Sequence, residues 1–337
     1  MTKPNSKLND LLSAMRTSAQ AASVPVRPLL LVPMGGGSTV ASLAPNKVEL
    51  IHRLMAMVQQ RFGIHPSHQV EKKLALIFDG TPVADFSLWV REMEIAPNDD
   101  AEWLSLVESL TVHETYFYRD LPLMDMLKRD ILPQLIHNKL QSGQTNLKIW
   151  SAGCSSGEEA YNISMLMLEC LLTAGHASVQ ANGVILPHPR WKIEVLGTDV
   201  SRQILNIARD AVYCDFGMGS FRSMPAEKKI YFEPCAATGE RLAGAQYWKV
   251  KDFISKHVRF SQHNLLQSTP PDRDFDLILC RNVMIYFEEK SKRAVQDMFY
   301  QSLRQDNVLV LGSTDVLYSS ERYKRKNGAS GAWFIKH

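Results

Sequence analysis

The sequence predicts an α/β protein with a doubly wound parallel sheet, an N-terminal helical domain and a small inserted antiparallel β-subdomain. Three patterns lead to this prediction. From about residue 146 onward, apolar runs typical of buried strands alternate with amphipathic helical stretches, as in a parallel sheet with helices on both faces. Between about 45 and 110, apolar residues recur at the three- and four-residue spacing of helices. Between about 213 and 257, two strand-like runs flank a glycine-rich turn, which predicts the inserted subdomain.

The composition indicates a reduced, intracellular protein without structural zinc or another predicted metal site. Its 337 residues can bury a full core, and its five cysteines form no Cys-x-x-Cys pair. No apolar run approaches the roughly 20 residues of a membrane span, and the N-terminus lacks the apolar core of a signal peptide. We therefore predict a cytoplasmic location. The formal net charge of +3 comes without a cluster of basic residues, so nucleic acid is not a predicted partner.

The same patterns divide the chain into three segments. Residues 1–44 are predicted to be a flexible leader because prolines and glycines interrupt its helical stretch; a docking segment for a partner is the alternative. Residues 45–120 form the helical domain and a linker, with six basic and ten acidic residues up to Glu108, which makes the helical domain net acidic. Residues 121–337 form the sheet domain, within which 173–190 are predicted to be a long surface loop.

Polar residues at three successive strand ends predict a nucleoside site. The first strand runs into WSAGCSSGEE, where Gly153 and Gly157 permit a tight turn and a helix start offers free N–H groups to a ligand. The second strand ends at Asp199, which can accept hydrogen bonds from ribose hydroxyls or cap the next helix, a role that Ser201 could fill instead. The third strand is followed by Asn264, which could contact an adenine edge or form a turn.

A fourth strand, FDLIL, runs into CRNVMIYF. A strand end with a purely structural role would favour Gly, Pro, Asp or Ser over the sequence Arg281, Asn282 and later Tyr286. Ligands of open α/β sheets bind at the carboxyl ends of the strands. These side chains are therefore predicted to face the same ligand as the first three strand ends.

Four segments together resemble the CheR family, S-adenosylmethionine-dependent methyltransferases that esterify glutamate side chains on chemotaxis receptors. The segments are SLTVHETYFYRD, IWSAGCSSGEEAYNIS, LGTDVSRQIL and ILCRNVMIYF. The resemblance covers about residues 45 to 320. It implies a class I methyltransferase fold, with 121–337 as the cofactor-binding domain. It also implies S-adenosyl-L-methionine as the cofactor and S-adenosyl-L-homocysteine as its product.

The resemblance also implies roles for individual positions. Thr115 and Arg119 match positions that hold the methionine end of the cofactor, and Tyr286 matches a tyrosine near the reacting methyl group, so Arg119 and Tyr286 are the predicted catalytic pair. His113 stands where the family usually has Asn, and could take over its cofactor contact or make the site pH-sensitive. The other implied cofactor-binding residues are Gly153, the following acid Glu158, the ribose-side Asp199, Asn264 and Leu265 beside the adenine, Arg281 and Asn282.

The residues suit methyl transfer to a carboxylate. A glutamate side chain has an unperturbed pKa of about 4.3, so it is already a nucleophile at neutral pH and needs no general base. Arg119 could bind a carboxylate through its planar guanidinium group, or form an interdomain salt bridge. Tyr286 could lie against the charged methyl–sulfur group, or only pack on Phe287. A thiol role for Cys154 has no supporting base in the sequence.

Departures from the family pattern bear on the partner. Ala160 and Asn162 replace a family Pro and Ser, and the helical domain is acidic where the family usually offers a basic helix to its receptor. The predicted partner is therefore a chemoreceptor or another receptor-like signalling protein, through which alone the protein would reach the membrane. The stretch AQYWKV of the insert could add a peptide to a sheet edge, or only cover the active site.

Two other functions remain open from the sequence. One is a class I methyltransferase with an amine or nucleic-acid acceptor, because this fold hosts many acceptors. The other is a non-enzymatic module that binds S-adenosylmethionine to regulate a partner.

Overall fold

The structure is a computed structural model that describes residues 45–111, 114–217, 219–236, 244–267, 269–328 and 331–337. The predicted leader, residues 1–44, and the predicted cofactor residue His113 lie outside the described residues.

Ten helices and twelve strands make up the described chain. The helices are α1 (Pro45–Phe62), α2 (His68–Ile77), α3 (Val83–Ile95), α4 (Ala101–Leu110), α5 (Leu121–Met126), α6 (Leu132–Gln141), α7 (Glu158–Thr173), α8 (Arg202–Asp210), α9 (Asp252–Ser255) and α10 (Glu289–Ser302). The strands are β1 (Asn146–Ala152), β2 (Ala177–Val179), β3 (Ile185–Pro187), β4 (Lys192–Asp199), β5 (Val212–Asp215), β6 (Phe232–Cys235), β7 (Gln246–Val250), β8 (Val258–Gln262), β9 (Phe275–Cys280), β10 (Leu303–Leu311), β11 (Tyr323–Gly328) and β12 (Gly331–Lys336). A π-helical turn, Leu127–Ile131, joins α5 to α6, and short 3-10 helices span Ala226–Tyr231, Met284–Tyr286 and Ser320–Arg322.

The main sheet has seven strands in the order β11-β12-β10-β9-β1-β4-β8. Its five strands from β10 to β8 are parallel, while β12 joins β10, and β11 joins β12, in antiparallel pairs. The central strand β9 is buried at every residue, as expected where helices cover both faces of a parallel sheet. Because the five strands run in one direction, their carboxyl ends form a single edge. The predicted fold class is confirmed.

Neighbouring residues of β1 belong to different cores. Ile149 belongs to the same apolar cluster as Leu166 of α7, whereas Trp150 belongs to the cluster on the other face and lies 5.3 Å, centroid to centroid, from Phe299 of α10. This follows from the alternation of side chains along a strand. The sheet is therefore packed on both faces, and its carboxyl edge is left to bind ligands.

The N-terminal helices have a core of their own. Along α1, Ile51, Leu54, Val58 and Phe62 are buried at helical spacing, as the apolar pattern predicted. Ser67 caps α2 by accepting a hydrogen bond from the N–H of Val70 at 3.3 Å. The separate core supports a boundary after α4, while the limits 45–120 and 121–337 stay predictions.

The inserted subdomain is a three-stranded antiparallel sheet in the order β5-β7-β6, as predicted. Its strands run from Val212 to Val250, after which α9 and β8 return the chain to the main sheet. The predicted surface loop 173–190 is partly wrong, because it contains the hairpin β2–β3. Each strand of that hairpin has three residues, too few to show an alternating pattern.

The edge hairpin β11–β12 was also not predicted as a pair. Strand β11 reads YKRKNG, and it is exposed at Lys324, Arg325 and Lys326. Charged side chains are common on edge strands because they block pairing with another chain, but they hide the apolar pattern of a strand.

Among the described helices, none combines the length and the apolar composition that a membrane span requires.

Candidate active site

A cavity of about 290 Å³ lies at the carboxyl edge of the sheet, beneath the helical domain. Phe62 of α1 and Val107 of α4 line it from above, and residues that follow β1, β4, β8 and β9 line it from the sheet. The residues predicted from the sequence that line this cavity are Thr115, Arg119, Gly153, Asp199, Asn264, Leu265, Arg281, Asn282 and Tyr286. The tertiary structure thus brings together side chains that lie up to 171 positions apart in the sequence.

The loop after β1 brings main chain to the cavity. The N–H groups of Gly153 and Cys154 both donate to the carbonyl oxygen of Thr198 at 2.8 Å, which holds the loop against β4. Gly153 has a φ of +77°, and a Cβ atom there would lie 2.3 Å from Cγ2 of Val283. Glycine is therefore required by both backbone conformation and space. Burial raises the pKa of the Cys154 thiol well above its usual range, which argues against a reactive cysteine.

Asp199 is the last residue of β4, and its carboxylate both binds the loop after β1 and lines the cavity. Its Oδ2 accepts from the N–H of Ser155 at 2.9 Å, and its Oδ1 accepts from the N–H of Ser201 at 3.1 Å. Ser201 is the N-cap of α8, because its hydroxyl accepts from the N–H of Ile204 at 3.1 Å. Carboxylate oxygens can accept further hydrogen bonds, so Asp199 keeps acceptor capacity for a ligand in the cavity.

Glu158, which the sequence predicts as a cofactor contact, does not line the cavity. Its carboxylate is buried and accepts from the hydroxyls of Ser156 and Ser220, each at 2.7 Å, and burial raises its pKa. The next residue, Glu159, lines the cavity instead and accepts from the hydroxyl of Ser151 at 2.7 Å. Successive residues of a helix point about 100° apart, so two adjacent acids at the start of α7 must face different surroundings.

Arg281 forms the interdomain ion pair that the sequence offered as an alternative for Arg119. Its guanidinium group is buried, with Nη1 2.9 Å from Oε2 of Glu159 and Nη2 3.2 Å from Oδ2 of Asp120. It therefore links the end of β9 to α7 and to the linker. Arg119 itself donates to the carbonyl oxygen of Glu114 and lines the cavity.

Asn264 and Tyr286 line the cavity and also make hydrogen bonds that hold its rim in place. Asn264 forms a turn, in which its Oδ1 accepts from the N–H of Leu266 at 3.0 Å, and it also lines the cavity. Tyr286 ends a 3-10 helix, and its carbonyl oxygen accepts from the N–H of His65 at 2.6 Å, which ties this rim to the helical domain.

Two buried polar atoms at the cavity have no hydrogen-bond partner among the described residues. They are Oδ1 of Asn162 and Nε2 of His263, on side chains that are 1% and 6% exposed. Leaving a buried polar atom unpaired is costly, so these two atoms at the cavity are candidate ligand contacts. Sequence reasoning missed both residues. The signal for Asn162 was its spacing of three from Glu159 on one helix, which places both side chains on the same face.

Comparison with known proteins identifies the family of proteins to which this chain belongs. The family described as "CheR methyltransferase, SAM binding domain" matches residues 113–332. The chain belongs to the CheR methyltransferase family. The family predicted from the sequence is confirmed, and the protein is a methyltransferase that uses S-adenosylmethionine.

Relatives of this CheR methyltransferase cover most of its length. It is 30% identical over 272 residues to "Chemotaxis protein methyltransferase" of Borreliella burgdorferi, a match over 79% of this chain and 88% of that protein. It is 33% identical over 212 residues to "Chemotaxis protein methyltransferase 1" of Pseudomonas aeruginosa, over 63% of this chain and 69% of that protein. A crystal structure of a TehB-like SAM-dependent methyltransferase from Corynebacterium glutamicum matches 60% of this chain and 84% of that chain, at 14% identity and a TM-score of 0.31.

The cavity of this CheR methyltransferase suits its cofactor. S-adenosylmethionine offers ribose hydroxyls, an amino group on the adenine and an ammonium group, all of which donate hydrogen bonds. The cavity provides acceptors on Asp199 and Glu159, as well as the unpaired Oδ1 of Asn162. Its apolar lining, which includes Phe62 and Leu265, matches the uncharged faces of the adenosyl group.

Two histidines, the half-buried His257 and the buried His263, make the stability of this CheR methyltransferase depend on pH. Burial lowers the pKa values of His257 and His263 to about 4, from 6.5 for an exposed histidine. Between pH 6.5 and about 4 the unfolded chain therefore binds more protons than the folded chain, so the free energy of unfolding falls as the pH is lowered through this range.

We expect the melting temperature, measured by calorimetry at pH 7 and pH 5, to fall less on acidification in the variant His257→Gln than in the wild type. His137→Gln, which changes an exposed histidine of α6, is the control and should leave the fall unchanged. An equal fall in wild type and His257→Gln would contradict this interpretation.

Proposed function

We propose that the protein transfers the methyl group of S-adenosylmethionine to glutamate side chains of a chemoreceptor or a related signalling protein. The observation that carries the proposal is that Arg119, Asp199, Asn282 and Tyr286 line one cavity of a CheR methyltransferase. The names of the relatives place them in chemotaxis, which supports a receptor as the substrate.

Separate parts of the cavity would hold separate parts of the cofactor. Asp199 would accept hydrogen bonds from the ribose hydroxyls, and Asn264 with Leu265 would lie beside the adenine. Thr115 and Arg119 would hold the methionine end. The carboxylate of Glu159 replaces the one first assigned to Glu158, because it lines the cavity.

Asn162, which replaces a serine of the family pattern, is a hydrogen-bond acceptor at the methionine end of the cofactor site. Oδ1 of Asn162 is unpaired among the described residues, and Asn162 is one helical turn from Glu159. An ammonium group has three donors and can satisfy both residues together. We therefore assign the cofactor's ammonium group to Glu159 and Asn162.

The chemistry needs orientation and exclusion of water more than acid–base catalysis. The bound cofactor supplies a methyl group on a positively charged sulfur, and an ionised glutamate supplies the nucleophile without a base. The two opposite charges neutralise each other as they react, so a site that weakens their hydration favours transfer. The apolar side chains of Phe62, Val107, Val283 and Phe287, which line the cavity, exclude water from it.

Two side chains act directly on the reacting groups in this proposal. Arg119 presents a guanidinium group at the cavity and orients a carboxylate, either that of the cofactor or that of the substrate. Tyr286 lies against the transferred methyl group and the sulfur, where its ring stabilises positive charge.

The partner surfaces are also proposals. In the inserted sheet, β7 is central, so β5 and β6 are its edges, and either could pair with a peptide of the substrate protein. The acidic helical domain favours a receptor-like protein whose docking surface is less acidic than the family pattern implies. We propose a cytoplasmic location, where such receptors expose their signalling parts.

Base lability of the product tests the acceptor. The protein is incubated with a membrane fraction and with S-adenosylmethionine that carries a labelled methyl group. We expect the protein-bound label to be released as methanol in mild alkali, because a carboxyl methyl ester hydrolyses there. Label that survives alkali would indicate an amine acceptor and contradict the proposal.

The variants Tyr286→Phe and Arg119→Ala test whether the protein acts as an enzyme or regulates a partner only by binding S-adenosylmethionine. If the protein is an enzyme, Arg119→Ala should lower the transfer rate by about 100-fold, the loss typical of a removed electrostatic contact in the transition state. Tyr286→Phe keeps the ring and should lower it less. A cellular phenotype unchanged in Arg119→Ala, despite lost transfer, would favour the non-enzymatic alternative.

A further inference from the structure

The linker segment that carries Thr115 and Arg119 rests on the inserted subdomain. Residues 114–119 have no helix or strand, and the N–H of Phe117 donates to the carbonyl oxygen of Ser220 at 2.8 Å. The ring of Phe117 packs in an aromatic cluster with ring-centroid distances of 4.8 Å to Tyr213, 5.4 Å to Phe221 and 4.8 Å to Phe232. The segment thus depends on tertiary contacts for its conformation.

Arg222 of the subdomain contacts Glu114 and Tyr116 of this segment. Its guanidinium carbon lies 3.6 Å from the ring centroid of Tyr116, and its Nη2 donates to Oε1 of Glu114 at 2.5 Å. Tyr116 and Glu114 line the cavity, whereas Arg222 is not among its lining residues. Arg222 therefore contacts two residues of the cavity lining without lining the cavity itself.

The same two residues contact Arg119. Its guanidinium carbon lies 5.8 Å from the ring centroid of Tyr116, and its Nη1 donates to the carbonyl oxygen of Glu114. Tyr116 and Glu114 thus connect the guanidinium group of Arg222 to the guanidinium group at the cavity. A change in Arg222 should move Arg119 without touching a ligand.

The turn that carries Arg222 is itself anchored to the glycine loop. The hydroxyl of Ser220 donates to Oε1 of Glu158, and the hydroxyl of Ser156 donates to Oε2 of the same carboxylate. Glu158 is fully enclosed, and the folded chain fixes both of its oxygens. This gives Glu158 a structural role, since it joins the subdomain turn to the loop that follows β1.

We propose that Arg222 is a positioning residue, which holds the segment 114–119 through Tyr116 and Glu114 so that Thr115 and Arg119 face the cofactor. The inserted subdomain then has a part in forming the cofactor site, in addition to any docking of a partner. The inference rests on the proposed function because it requires the proposed cofactor site. It does not depend on which group accepts the methyl.

Calorimetry with S-adenosylhomocysteine is the first test. Arg222→Ala is expected to weaken binding about ten-fold, as for a partly desolvated cation–π contact combined with an ion pair. Arg222→Lys keeps the charge beside Glu114 but not the planar stacking, so it should recover only part of the loss. Arg259→Ala is the matched control, because Arg259 forms carboxylate pairs with Glu194 and Asp272 and does not line the cavity.

Substitutions of Tyr116 test the route of the effect. Tyr116→Leu should weaken binding to a similar degree, while Tyr116→Phe keeps the ring and should bind nearly as well as the wild type. The double variant Arg222→Ala/Tyr116→Leu should be little worse than either single variant, because both remove the same contact. If Arg222→Ala fails to fold, Arg222→Lys decides the matter, because binding equal to that of the wild type would contradict the positioning role.

Trypsin gives a readout that needs no ligand. In the ligand-free protein, Arg222→Ala should be cut faster after Arg119 than the wild type or Arg259→Ala, because the segment is released from the subdomain. In transfer assays, Arg222→Ala should raise the KM for S-adenosylmethionine about ten-fold while kcat changes less than the KM, as expected for a lost positioning contact.

The outcomes are distinct. Equal binding by Arg222→Ala and Arg259→Ala would overturn the positioning role while leaving the cofactor site intact. No binding of S-adenosylhomocysteine by the wild type would overturn the site itself and the positioning role with it. Alkali-stable label on the acceptor would overturn only the glutamate assignment.

Discussion

Asp199→Ala is expected to weaken S-adenosylhomocysteine binding by about 100-fold or more, because hydrogen bonds to a charged group contribute about 1.5–3 kcal/mol each. The substitution removes the proposed ribose acceptor. It also frees the N–H of Ser155, which donates to Oδ2 of Asp199 at 2.9 Å, so the loop beside the cavity loses a tether. Calorimetry on the intact protein measures the dissociation constant directly.

Two further variants show whether the loss comes from the carboxylate at the cavity. Asp199→Asn retains one acceptor oxygen and should bind with intermediate affinity. Asp297→Ala changes a half-exposed acid that pairs with Arg322 and does not line the cavity, so it should bind as the wild type does. A change smaller than three-fold in Asp199→Ala would show that this residue is not the ribose contact.

Arg281→Ala is expected to lower the free energy of unfolding by about 3 kcal/mol, within the range found when one partner of a buried ion pair is removed. The guanidinium group pairs with Glu159 and with Asp120, and its side chain is 6% exposed. Its removal leaves the carboxylate of Glu159, which is 15% exposed, without its cation. Urea denaturation measures the loss, and methyl transfer should fall as well, since Arg281 links β9 to the linker that carries Arg119.

The matched control is Arg293→Ala. Arg293 pairs with Glu289 across one turn of α10, and both side chains are more than half exposed, so its loss should cost less than about 0.5 kcal/mol. Adding Glu159→Gln to Arg281→Ala should restore part of the lost stability, because it removes the unpaired charge. If Arg281→Ala costs less than 1 kcal/mol, the buried ion pair is not a major support of the interdomain contact.

The alternation of strands and helices could be predicted because it depends on local pattern. A strand buried on both faces is mostly apolar, and β9 reads FDLILC, in which the one acid, Asp276, pairs with Lys139 at 2.7 Å. The helical domain was equally clear, since α1 repeats apolar residues with the period of a helix. The hairpins β2–β3 and β11–β12 lacked such patterns, the first through shortness and the second through exposed charge.

Most of the site could be predicted for a related reason. Parallel strands carry whatever follows them to one edge, so Gly153, Asp199 and Arg281 had to gather there once the strands were recognised. Glu158 could not be told from Glu159, because adjacent acids look alike in sequence and only the packing of α7 decides which one faces the cavity.

The amino-acid sequence by itself determined the class of fold, the family and the edge of the sheet that holds the cofactor, since these follow from periodicity and from short segments of chain. Only the tertiary structure decided which charged side chains at and around the cavity pair with one another. The pairing of Arg281 with Glu159 and Asp120, and the contact of Arg222 with Tyr116, join segments far apart in sequence. No local pattern encodes such pairs, because their partners meet only after the sheet, the helical domain and the inserted subdomain have packed together.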